Sequence, residues 1–164
     1  MSGSGGTEFN NIIREFADIV YNLSYRILGN SDEAKDAAQE TFFKVYRKFY
    51  QYKPEMNLKN WIYTIAINTS RDVYRSRRRY SSDQLQEESI SDRDNMPNKI
   101  ENKIYTQEIL NSLPVDYKVV VVLFYLEARP VNEISKLLKI PKVLVKVRLH
   151  RARKKILEIY GSKH

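Results

Sequence analysis

The chain has 164 residues, 42% of them hydrophobic and 29% charged, the balance of a folded protein with one or two small domains. It has no cysteine, which excludes disulfides, thiolate-held metals, iron–sulfur clusters and a thiol nucleophile. The net charge of +8 calls for a polyanionic partner, nucleic acid or a membrane surface, and composition does not choose between them.

The opening Ser2 to Gly6 holds three of the five glycines, and residues 1–7 read as a flexible leader outside the fold. Phe9, Ile12, Ile13, Phe16, Val20, Leu23 and Ile27 then follow a helical period, and Gly29 supplies a stop. Asn30-Ser-Asp-Glu33 offers a cap and an acidic first turn for a second helix. That helix is expected to run to about Phe49, burying Ala34, Ala38, Phe42, Val45 and Phe49. Tyr50 to Lys59 contains Pro54 and reads as a loop, and a third helix is expected over about Leu58–Arg78, with Trp61 and Ile65 in the core. For the tyrosines around it, core and surface stay open.

Charge divides the chain. Residues 1–80 carry a net +4, residues 81–104 a net −3 and residues 105–164 a net +7. The acidic stretch is nearly free of large apolar residues and reads as a flexible linker over 81–99, separating helical units at 8–80 and 100–161. In the second unit, Ile100, Ile104, Ile109 and Leu110 predict a helix ending near Pro114. Val119–Leu126 is a continuous apolar run that periodicity leaves open between strand and helix. Ile134, Leu137 and Leu138 predict a short helix. Val145, Leu149, Ala152, Ile156 and Ile159 predict a longer one after the break at Lys139-Ile-Pro141. Two helices with a tight break, the second basic, are a helix-turn-helix candidate.

Three groups of side chains stand out. Lys142 to Lys155 holds seven Lys or Arg and no acid, and its outer arc of Lys142, Lys146, His150, Arg151, Arg153 and Lys154 suits a major groove. Asn68, Arg71, Arg75 and Arg78 lie along one edge of the third helix, near Tyr50, Tyr52, Tyr63 and Tyr74. Cations beside aromatics can hold single-stranded nucleic acid. Asp36 and Glu40 sit four apart with Gln39 and Phe43 beside them. Neither a histidine nor a second carboxylate pair accompanies them, so a protein contact suits them better than catalysis or a metal. A plain solvated surface is the competing reading of each group. No phosphate loop, dinucleotide fingerprint or nucleophile elbow is present, so no catalytic residue, cofactor or metal is expected. His150 and His164 are too few for an imidazole cage. No signal peptide or spanning run appears, and a cytoplasmic location without membrane insertion is expected.

Four motifs in series resemble one family. Asp36-Ala-Ala-Gln39-Glu40-Thr41-Phe42, the block Trp61-Ile-Tyr63 to Asn68, Asp72 and Arg75, Leu113-Pro114 to Val120, and Val145 to Arg153 are similar to bacterial sigma factors of the extracytoplasmic-function (ECF) type, in the sigma-70 family. The resemblance covers about Phe9 to Tyr160. It implies an all-α fold of two small helical domains, region 2 and a helix-turn-helix region 4, and turns Val119–Leu126 into helix. It implies that Asp36, Gln39, Glu40 and Phe43 dock on core RNA polymerase, whose β and β′ subunits would be partners. It implies that Tyr52, Lys53, Asn68, Arg71, Arg75 and Arg78 handle a single-stranded −10 element. Lys142, Lys146, Val147, His150, Arg151 and Lys154 would then contact a duplex −35 element. Many relatives are held by an anti-sigma factor, and the sequence carries no signature of one.

The chain departs from the family pattern at Lys139, where glycine is usual, at Ala128-Arg-Pro130, and at Val143, Leu144 and Val147, where small polar residues are common. Lys139 is expected to take a left-handed conformation. The valines and leucine leave three readings: a T-rich −35 preference, a weak duplex contact, or a face covered by protein. An altered but real DNA contact is the preferred one. The rivals to a sigma factor are a stand-alone helix-turn-helix regulator, indifferent to charge reversal at Asp36 or Glu40, and a helical adaptor that binds no DNA.

Overall fold

The computed structural model describes residues 3–81 and 98–161, with side chains for 5–79 and 105–161. The helices are α1 (Gly3–Leu28), α2 (Ser31–Lys48), α3 (Leu58–Ser81), α4 (Asn98–Asn111), α5 (Val115–Val121), α6 (Val131–Leu138) and α7 (Lys142–Tyr160). A 3₁₀ turn over Phe49–Gln51 follows α2, and a π-helical turn over Val122–Leu126 follows α5. No strand occurs among the described residues. Most of the expected linker, residues 82–97, lies outside them.

Helices α1 to α3 form a three-helix bundle. The predicted α1 stripe lies inward, with Ile12, Phe16, Val20, Leu23 and Ile27 buried. The helix begins at Gly3, within the stretch read as a leader, and a side chain at Gly5 or Gly6 would meet nothing. Gly29 ends α1 with φ +70°, and its N–H donates to the Tyr25 carbonyl. The Asn30 side chain then caps α2, accepting from the Glu33 N–H at 3.0 Å. The inner face of α2 is Ala34, Ala37, Thr41, Phe42 and Val45, so Ala37 takes the place expected of Ala38, which is half-buried with Phe49. Thr41 is silent as a polar residue because its hydroxyl donates to the Ala37 carbonyl one turn back. In α3, Ile65 is buried and Trp61 is half-buried against the same core.

Val119–Leu126 folds as α5 and the π turn. Its valines have strand propensity, but Val119, Val120, Val121, Val122 and Leu123 are all buried, in surroundings without strand partners. A buried backbone must satisfy its own polar groups, and only a helix does so within one segment. Ala128, with φ 52°, and Lys139, with φ 55° and ψ 44°, both adopt the left-handed conformation. Lys139 thus closes α6 as expected, at a cost of about 1 kcal/mol over glycine. The Ser135 hydroxyl donates to the Ile140 carbonyl and tightens the break before α7. The predicted α7 stripe is buried at Val145, Leu149 and Ala152, while Ile156 and Ile159 are half-buried.

The α4–α7 unit packs on the bundle through α1 and α3. The Lys118 ammonium donates to the Ile27 carbonyl at 2.9 Å, and Arg71 pairs with Asp116 at 2.5 Å. Tyr63 donates to Glu127 at 3.1 Å, and Arg129 donates to Asn60 at 2.7 Å while lying over the Tyr63 ring. The end of the Asn111 side chain of α4 lies where a Gly29 side chain would point and can swing aside, so the left-handed backbone is what fixes this glycine.

Candidate nucleic-acid and protein interfaces

On α2, Asp36, Gln39, Glu40 and Phe43 all face solvent, spaced three, one and three apart so that they share one face. Phe43 is 54% exposed, with the Arg47 guanidinium 5.5 Å from its ring centre. Beside this ridge runs a mainly apolar groove lined by Phe9, Ile13, Ala17 and Tyr21 of α1 and Ala38, Phe42 and Tyr46 of α2. Tyr46 is 63% exposed and meets Phe9 edge-on at 5.1 Å. Sequence reasoning missed Tyr46 and the groove. The signal was present, since Tyr46 follows Phe43 by three residues, but two helices had to be placed together to form the walls.

The loop before α3 carries an aromatic group. Tyr52 lies 5.7 Å from Phe49, nearly parallel, and 5.4 Å from Trp61, and its hydroxyl donates to the Met56 carbonyl. Lys53 and Tyr50 stand exposed beside it. Of the α3 edge, Asn68, Arg75 and Arg78 are exposed. Arg71 is not: it is half-buried against Asp116, and its Nε is buried without a hydrogen-bond partner. Tyr63, from the same group of tyrosines, belongs to the contact between the two units. Burial, and then Glu127, push its phenol up to about 12.

On α7, Lys142, Lys146, His150, Arg151 and Lys154 are exposed and Val147 is half-buried. Lys146, Val147, His150, Arg151 and Lys154 lie on the side away from Val145, Leu149 and Ala152, while Lys142 is exposed at the helix start on the same face as Val145. Arg153 is exposed but engaged, donating to the Tyr125 hydroxyl and lying over the Tyr125 and Phe124 rings. No side-chain bond caps the first turn of α7, where Pro141 is the cap residue. No helix is long and apolar enough to span a membrane, and no cluster of metal ligands occurs, among the described residues.

The bundle and the second unit match two family models, Sigma-70 region 2 over residues 12–80 and Sigma-70 region 4 over residues 104–156. The chain is 31% identical to the ECF RNA polymerase sigma factor SigW of Bacillus subtilis, over 88% of this chain and 84% of that protein. It belongs to the ECF sigma factors of the sigma-70 family. It is also 33% identical to the ECF sigma factor SigE of Mycolicibacterium smegmatis, over 95% of this chain, and spans 62% of that relative's length. The fold is similar to that of the sigma factor RpoE in complex with the anti-sigma factor NepR from Bartonella quintana. The TM-score is 0.76 at 20% identity, over 96% of this chain and 99% of that one. It is similar again to CnrH in complex with the cytosolic domain of CnrY, with a TM-score of 0.71 at 17% identity, over 99% and 93% of the two chains.

In this ECF sigma factor the two regions share a buried ionic contact that sequence reasoning did not find. Lys118 is 2% exposed on region 4, and it meets the carbonyl at the end of α1 in region 2. An orphan carbonyl at a helix C-terminus attracts a cation. Burial nevertheless dominates and, with Arg77 and Arg78 nearby, pushes the ammonium down to about 8. Its ring contact with Tyr74, 5.0 Å to the centroid, offsets part of the desolvation.

Proposed function

We propose that this chain directs core RNA polymerase to promoters as an alternative sigma factor and assists opening of the −10 element. The observation that carries the reading is the solvent-facing ridge of Asp36, Gln39, Glu40 and Phe43 beside the α1–α2 groove. A face holding two carboxylates and an exposed phenylalanine, with the Arg47 guanidinium over its ring, has the mixed chemistry of a protein contact. Docking there on the polymerase leaves the basic edge of α3 and the basic arc of α7 for promoter DNA.

The two DNA contacts differ in kind. On region 2, Phe49, Tyr52 and Trp61 form a ring cluster at the start of α3 beside Lys53, and Asn68, Arg75 and Arg78 stand exposed further along the same helix. An unpaired base extruded from the duplex presents a face for stacking and edges for hydrogen bonds, while the cations follow its backbone. On region 4, α7 offers cations to phosphates and a central stripe to base edges in the major groove of the −35 element. Arg71 joins the first contact once Asp116 releases it.

The test is reconstitution. Full-length protein and core polymerase are expected to co-migrate and to yield run-off transcripts from promoters recovered by sequencing the bound DNA. Asp36→Arg and Glu40→Arg abolish co-migration while the fold is kept, because both side chains are exposed. A stand-alone regulator would bind its DNA equally well with either reversal. Wild-type protein that fails to bind core polymerase overturns the reading.

A further inference from the structure

The exposed face of α7 carries two valines where a merely solvated helix would carry charge. Val143 is 71% exposed in the first turn, and Val147 is half-buried one turn later on the same side. With His150 and Lys154 they form the stripe directly opposite Val145, Leu149 and Ala152. Lys146 and Arg151 flank this stripe on its two sides, and no Asp or Glu occurs between Glu133 and Glu158. Branched side chains gain nothing on an exposed helix surface: they lower helix propensity and leave methyl groups in water.

We propose that Val143 and Val147 are specificity-determining residues that read thymine methyl groups in the −35 duplex. This rests on the promoter-binding function proposed above. In the major groove only thymine displays an apolar group, its C5 methyl, so two valines between two phosphate-seeking cations have one base as their natural complement. Lys146 and Arg151 take the two backbones, and the valines meet the groove floor between them. The valines cannot accept or donate hydrogen bonds, so they reject a polar base edge by leaving it unsatisfied. The −35 element is therefore expected to carry thymines on adjacent steps under the first two turns of α7.

Replacement of thymine by uracil in synthetic promoters tests this, because it removes the methyl and keeps every hydrogen-bonding group. The holoenzyme is assembled with the full chain and core polymerase, and promoter binding is measured with each −35 thymine replaced in turn. Loss of one buried methyl corresponds to about a fourfold fall in affinity. The wild type should lose about that much at one or two positions. Val143→Ala should bind the thymine promoter about as weakly as the wild type binds the uracil one, and should be indifferent to the replacement. Alanine favours the helix, so misfolding does not explain a loss.

If the wild type directs transcription but no uracil replacement matters, the valines do not read methyls, and the sigma function stands without them. If Val143→Ala keeps the wild-type sensitivity to uracil, the inference also falls. If that variant loses affinity for core polymerase with unchanged promoter choice, the face meets protein instead. If no promoter is found for the wild type, the sigma reading and this inference fail together.

Discussion

Lys118 makes the docking of region 4 on region 2 sensitive to pH. Its ammonium is buried only while the two regions are together, since its partner, the Ile27 carbonyl, belongs to the other region. A fall from 10.5 to about 8 corresponds to about 3 kcal/mol of cost for holding the charged form in the docked state. Below pH 8 the lysine is charged in both states and the whole cost applies. As pH rises from 8 towards 10.5 the docked form loses its proton first, the cost is relieved, and docking strengthens. Between pH 7 and 9.5 the gain is about 2 kcal/mol, or about 30-fold in the docking constant. Tyr63 acts the other way, but only above pH 10, where the undocked phenol ionises and the docked one, held at about 12, does not. Lys118→Met removes the cost of the buried charge and leaves the Ile27 carbonyl unpaired, a loss of about 1–3 kcal/mol. The two nearly cancel at pH 7, so the slope with pH, rather than the level, is the diagnostic. Because the chain has no cysteine, dyes can be placed at Arg14→Cys and Lys136→Cys, both exposed and on different regions. Energy transfer is read in urea sufficient to separate half the molecules. The wild type should dock more tightly from pH 7 to 9.5, and the Lys118→Met protein should not respond. Equal responses of the two proteins would refute the reasoning.

Asp116→Asn weakens the hold on Arg71. Energy transfer should fall, while binding of a single-stranded −10 oligonucleotide by the free protein rises a few-fold, as measured by fluorescence anisotropy. Gly29→Ala should destabilise the bundle by about 1–2 kcal/mol from the left-handed backbone, with little added undocking because the end of the exposed Asn111 side chain can swing aside. Denaturant melts and energy transfer together separate the two effects. Lys146→Glu and Arg151→Glu should leave polymerase binding unchanged. Each should reduce promoter binding and lower the slope of log affinity against log salt by about one, and an unchanged slope would place these side chains away from phosphate.

Most of the bundle was legible because its helices are amphipathic at a strict period, and Ile12, Phe16, Val20, Leu23 and Ile27 needed no partner to be recognised as one face. The ridge of Asp36, Gln39, Glu40 and Phe43 was legible for the converse reason, as the arc that the apolar stripe leaves over. Val119–Leu126 was not, because its first five residues are all buried and so show no periodicity, and its helical form follows from surroundings that offer it no strand. The resemblance supplied what the pattern could not. Ala38 and Ala37 differ by one position at the edge of a face, where small side chains carry little signal. The pairs Arg71–Asp116 and Lys118–Ile27 join residues 45 and 91 positions apart, and no local pattern marks them.

Those two pairs bear on how the proposed function is used. Asp116 holds Arg71 at 2.5 Å in the docked arrangement with the arginine side chain only 18% exposed, so little of its guanidinium can reach promoter phosphate there. A contact that uses Arg71 must first break the pair, and the apparent affinity of the free protein for a −10 strand falls by the fraction of molecules in which it is broken. Lys118 limits how far this can go. The Arg71 pair, the Tyr63–Glu127 bond and the Arg129–Asn60 bond favour docking, while the desolvation of the Lys118 ammonium offsets most of what its own bond to the Ile27 carbonyl contributes at neutral pH. A clasp built against such a cost opens more readily than its contacts suggest. Under the function proposed above, a polymerase docked on the α2 ridge would have only a modest difference in free energy to overcome in separating the two regions.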